Sequence, residues 1–67
     1  MSPATVLRKP EVTRRTGLSA ATIRRLELAG KFPKRLLLSA QAVGWDEREV
    51  VAWIEARAAA RESQAEA

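Results

Sequence analysis

The chain has 67 residues, a formal net charge of +4 and 46% apolar residues. Thirteen of those residues are alanine and only 15 are Leu, Ile, Val or Phe, enough for one thin core and no deep pocket. Cys, His and Tyr are absent, which removes thiolate and imidazole chemistry and the usual metal ligands, so the expectation is a non-enzyme with no catalytic residue, no metal site and no cofactor.

In chain order, residues 1–6 read as a flexible N-terminus, and Leu7-Arg8 as a short strand or extended lead-in. Pro10 suits the first turn of a helix over 10–16, with Val12 and Thr16 on one side. That helix is too short to persist alone. Gly17 is placed to end it in a left-handed cap, Leu18 to point inward, and Ser19 to cap a second helix over 20–29 that Gly30 stops. Ile23, Leu26, Glu27 and Gly30 share the inward side of this helix, while Ala21, Arg24, Arg25 and Leu28 share the outward side. Pro33 prevents continuation.

Leu36-Leu37-Leu38 and Val43-Gly44-Trp45, separated by Ser39-Ala40-Gln41-Ala42, read as a β-hairpin. Leu36 and Leu38 share a face, as do Val43 and Trp45. Asp46 then reads as an N-cap with Glu49 at N3, and Trp45 as a staple onto Val50. Val50, Trp53, Ile54, Arg57 and Ala58 form one stripe of a third helix that reaches Arg61. Residues 62–67 read as a flexible tail. The folded unit, 7–61, is mainly α with a small β-hairpin: helix, tight turn, helix, hairpin, helix, or a winged helix-turn-helix.

The charge is uneven. Residues 1–44 carry +7 and residues 45–67 carry −3. A basic segment this dense calls for an anionic partner, double-stranded DNA first. A membrane surface is disfavoured, because no exposed apolar stripe accompanies the basic residues. No apolar run is long enough to span a membrane, and Met1-Ser2-Pro3-Ala4 lacks the order of a signal peptide, so a cytoplasmic location is expected, on the bacterial nucleoid.

The second helix can enter a major groove N-terminus first. Arg25, with Ala21 and Thr22 one turn earlier, is placed for base edges. Arg24, the exposed N–H groups at the start of the helix and the Ser19 hydroxyl suit phosphates. Lys34, Arg35 and the wing-tip Gln41 are placed for the adjacent minor groove or backbone, and Arg15 and Lys31 extend the basic surface. A reading of another class is an interaction adaptor without DNA specificity, docking through Ala56–Ala60 and the acidic third helix. Arg25→Ala discriminates the two.

The run Thr16-Gly17-Leu18-Ser19-Ala20-Ala21-Thr22-Ile23-Arg24-Arg25-Leu26 resembles the helix-turn-helix of the MerR superfamily. Gly30-Lys31-Phe32-Pro33-Lys34, Ala42-Val43-Gly44-Trp45 and Glu49-Val50-Val51-Ala52-Trp53-Ile54-Glu55-Ala56-Arg57 resemble the small AlpA-like regulators and excisionases of prophages and integrative elements. The resemblance covers residues 7–58. It implies a MerR/excisionase-like winged fold and two possible tasks: excisionase (recombination directionality factor), binding and bending attachment-site DNA beside an integrase, or transcriptional regulation. It also implies that Arg25 reads a base, with Thr22 beside it and Arg24 on the backbone.

Two residues depart from the family pattern. Gln41 stands where a basic wing-tip residue is usual, which forfeits a charge contact and lowers the salt slope by about 0.9. Leu28 stands where a polar residue is common, either as an unremarkable exposed Leu or as a contact with a neighbouring protomer or an integrase. A module this small buries little surface on DNA. The expected behaviour is therefore head-to-tail self-association on repeated sites by a protein that is monomeric when free.

Overall fold

The structure, a computed structural model, describes residues 5–65, side chains of residues 62–65 excepted. Residues 1–4 and 66–67, parts of the two ends expected to be flexible, lie outside the described residues. Six elements follow in order: β1 (Val6–Leu7), α1 (Lys9–Thr16), α2 (Ala20–Leu28), β2 (Leu36–Ser39), β3 (Ala42–Asp46) and α3 (Glu47–Ala65). They form a winged helix-turn-helix: three helices beside a three-stranded antiparallel sheet of order β1-β3-β2.

The tight turn between α1 and α2 is built by local bonds. Gly17 takes the left-handed conformation at φ 74° and its N–H donates to Thr13 O at 2.8 Å, a geometry glycine adopts without steric cost. Thr16 Oγ1 donates to Val12 O at 2.8 Å and accepts the Leu18 N–H at 3.2 Å. Ser19 Oγ then accepts the Thr22 N–H at 3.2 Å, as an N-cap does. At the far end of α2, Lys31 N–H donates to Leu26 O and Gly30 N–H to Glu27 O, at 2.8 and 3.0 Å. This pair of bonds is the Schellman motif, and it makes Ala29 the cap rather than the last helical residue.

The core is Leu7, Val12, Ile23, Phe32, Trp45 and Val50, with Leu18, Leu26, Val43, Trp53 and Ile54 packed against it. Trp45 and Val50 are both fully buried, as the staple reading requires. Asp46 Oδ1 accepts the Arg48 N–H at 2.8 Å, confirming the cap. The Glu47 N–H goes instead to Thr5 O at 2.9 Å. Phe32 meets Trp53 edge-on at 4.9 Å between ring centroids, and Trp53 Nε1 donates to Lys31 O at 2.8 Å. The link after α2 is thereby tied to α3. No helix of the described residues is long and apolar enough to cross a membrane.

Three boundaries differ from the sequence reading. β1 is a third strand that begins at Val6 and pairs with β3 through Val6↔Asp46 and Leu7↔Trp45. Two residues are too short for any periodicity to announce. α1 starts one residue before Pro10, and α3 runs on to Ala65, past Arg61. The hairpin turns at Ala40-Gln41, and Leu38 forms a bulge between the pairs Leu37↔Val43 and Ser39↔Ala42. Among the described residues no non-glycine residue has positive φ, so the turn is not one of the left-handed types that match strand twist; the bulge accommodates the mismatch. Gly44 lies under β1: a Cβ there would overlap Val6 Cγ1 and press on Leu7 O at 3.1 Å. Only glycine allows this approach.

Candidate nucleic-acid interface

The inward and outward faces of α2 fall as its sequence indicates except at Gly30, which lies past the end of the helix and is exposed rather than inward; Leu26 is half-buried. Ile23 and Glu27 are buried, while Ala21, Arg24, Arg25 and Leu28 are exposed. The helix is fixed to the core by Ile23 and Leu26, so the direction of its outward residues is set by packing.

At its N-terminus, Ser19 Oγ accepts the Thr22 N–H and donates to Thr22 Oγ1 at 3.0 Å. The Ser19 hydroxyl thus serves as the cap and bonds the Thr22 side chain. Its effect is to orient Thr22, whose own hydroxyl hydrogen stays free to donate outward. Arg25 lies one turn further on the same helix, exposed and without an ion pair among the described residues.

The other predicted residues separate into free and committed cations. Lys34 is exposed and makes no ion pair among the described residues; Lys31 is likewise free. Arg24 comes no closer than 4.0 Å to Glu27, with half of its side chain exposed, so it keeps most of its charge for solvent or a ligand.

Arg15 is committed. It pairs with Glu11 at 3.1 Å and with Glu47 at 3.0 Å, joining α1 to α3. The Glu11 bond raises its pKa first; burial opposes the rise, and Glu47 adds to it. Arg35 is committed more fully. Its Nη2 lies 2.6 Å from Glu27 Oε1, its Nε lies 3.1 Å from both Glu27 oxygens, and its backbone N–H donates to Oε2 at 2.8 Å. Burial alone would raise the Glu27 carboxyl pKa, but these bonds outweigh it and hold the carboxyl below its ordinary range. In return the Glu27 bond raises the Arg35 pKa.

Arg24, Lys34 and Arg35 come together around one groove with Leu28 and Leu37, between α2 and β2. Lys31 opens on a different groove, shared with Glu49, Ala52 and Trp53. Gln41 is exposed in the turn of the hairpin. The sequence reading did not single out Leu37, at 81% the most exposed large apolar side chain among the described residues, nor that it shares a groove with Leu28 at 72%. Only the path of the chain brings these two leucines to one groove.

The family profile described as "Prophage CP4-57 regulatory protein (AlpA)" matches residues 5–58. An uncharacterized protein of Enterobacteria phage P4, ORF88, is 44% identical over 55 residues, covering 82% of this chain and 62% of the phage protein. The chain thus spans less than two thirds of that relative's length. The DNA-binding transcriptional activator AlpA of Escherichia coli K12 is 34% identical over 62 residues, covering 84% of this chain and 89% of the activator. On the extent of the profile match and the identity to that activator, this chain belongs to the AlpA family of prophage regulatory proteins.

Proposed function

We propose that the chain is a sequence-preferring double-stranded DNA-binding regulator of a prophage or integrative element. The supporting observation is the solvent face of α2, where a free Arg25 follows an oriented Thr22 by one turn on a helix locked to the core. α2 enters the major groove. Arg25 bonds guanine O6 and N7, and Thr22 and Ala21 contact the neighbouring base. Arg24 and Lys34 hold the backbone on either side, and the Gln41 turn reaches the adjoining minor groove. Arg15 and Arg35, already neutralised by carboxylates, act through the frame. The name of the Escherichia coli relative supports the DNA-binding reading.

Within that reading the protein acts as a transcriptional regulator, as an excisionase that bends attachment-site DNA beside an integrase, or as both. Copies associate head to tail on repeated sites. The exposed Leu28 and Leu37 beside the basic surface support this, with a second copy packing on the two leucines while Arg24 and Lys34 stay on the DNA backbone.

A gel-shift titration against fragments tiling the protein's genetic neighbourhood, at several salt concentrations, tests all of this. Discrete fragments bound in stepwise bands are expected, and their position at a promoter or an attachment site selects the task. Arg25→Ala should cost about 1–3 kcal/mol on the preferred site and relax specificity at one base pair. Unchanged function in that variant would favour the adaptor reading. Weak binding to every fragment, erased by salt, would reduce the basic face to non-specific affinity.

A further inference from the structure

Glu27 is the one buried charged residue among those described, at 5% exposure. It sits on the inward side of α2, and Arg35 lies immediately before β2. The bonds between them join the recognition helix to the first residue before the wing. Among the described residues they are the only side-chain hydrogen bonds from α2 to the wing and its approach. The Arg35 guanidinium also lies over the Trp45 ring, 5.1 Å from its centroid. One carboxylate on α2 is thereby connected to both strands of the hairpin.

Stability alone does not explain this choice. An apolar pair of similar volume usually serves a buried site as well or better than an ion pair. What an apolar pair lacks is direction. A guanidinium fork on a carboxylate admits a narrow range of angles, and the Arg35 backbone N–H on the same carboxylate fixes the main chain as well as the side chain. The wing needs such a device because β2 has no buried residue.

We infer that Glu27 is a positioning residue for DNA binding: through Arg35 it fixes the angle between α2 and the wing, so that both reach neighbouring grooves together. This rests on the DNA-binding reading above.

The absence of cysteine from the chain permits a direct test. A single Ala40→Cys in the exposed turn, carrying an iron chelate, cuts DNA where the wing tip lies. In the otherwise unchanged protein, cleavage is expected within a few base pairs beside the bound site. In Glu27→Gln, shown to be folded by circular dichroism, cleavage should spread or shift. The salt slope should fall by about one as the Lys34 contact is lost.

A second variant, Glu27→Leu with Arg35→Leu, separates positioning from stability. It should unfold at the same or higher temperature than the parent and still cut diffusely. The same sharp cleavage from either folded variant would overturn the positioning role. If the labelled parent itself gives no localised cleavage on any tiled fragment, the DNA-binding reading fails first and takes this role with it.

Discussion

α2 and the wing hold their places by different means. α2 is closed at both ends by its own neighbours in sequence, a serine cap and a Schellman motif, and buries Ile23 and Glu27. β2 buries nothing, turns without a left-handed residue and carries a bulge at Leu38. Its order is borrowed: from β3, which pairs with it, from β1 on the far side of β3, and from Glu27 through Arg35. A helix capped by local bonds and seated on the core through Ile23 and Leu26 is held independently of β2, whereas a strand set by distant contacts can be released by a single change far from its turn.

The largest test of this contrast is Glu27→Ala, which leaves Arg35 half-buried and unpaired. A loss of about 3–5 kcal/mol is expected, read by urea unfolding. In a domain this small that is a large part of the total stability. A loss under 1 kcal/mol would show that the wing is held by other contacts.

Gly44→Ala comes next. The added methyl meets Val6 and the Leu7 carbonyl, and a cost of about 1–3 kcal/mol is expected for such overpacking. Hydrogen exchange should show lost protection at Val6 and Asp46 while the amides of α2 stay protected. Equal loss in both regions would erase the distinction between them.

Ser19→Ala reaches the other side of the comparison and should cost about 1 kcal/mol, the usual value of an N-cap. The damage should stay local, with the first turn of α2 exchanging faster and the wing unchanged.

The smallest effect is one of pH. The Glu27 carboxyl titrates below its ordinary range when folded. Its contribution is therefore complete above the unfolded-chain value of about 4.3 and is lost as the pH falls through the lower folded value. Asp46, lowered first by its side-chain bond from Arg48, acts in the same direction. Unfolding curves at pH 7 and pH 3 should show this loss, and Glu27→Gln should flatten it. An equal drop in that variant would assign the acid sensitivity elsewhere.

The legible parts of the molecule are those whose cause is local. The roles of Gly17, Ser19, Asp46 and the Trp45–Val50 staple follow from neighbours a few positions away, and the structure places all of them as read. The inward side of Glu27 is equally plain from helical spacing, but its partner is not. Arg35 reads in sequence as one more basic residue before the wing, and Arg15 as one more cation on α1. Arg35 is claimed by a carboxylate that the fold brings near, and Arg15 by Glu47 from α3 as well as by Glu11 one turn earlier on its own helix. Charge counts overstate the free positive surface for this reason. The strand at Val6–Leu7 was half visible, because its pairing depends on β3 arriving beside it.

Trp45 is fully buried beneath the Arg35 guanidinium, whereas Trp53 is half-buried, gives its N–H to Lys31 O, and has Arg57 4.7 Å above its ring. With no tyrosine in the chain, these two indoles are its whole near-ultraviolet signature apart from one phenylalanine. The first is an intrinsic optical gauge of the Glu27–Arg35 junction; the second gauges the anchorage of the link to α3. Trp53→Phe would leave a single emitter in contact with Arg35, so that a change at that junction is registered as a change of colour and intensity without any added dye.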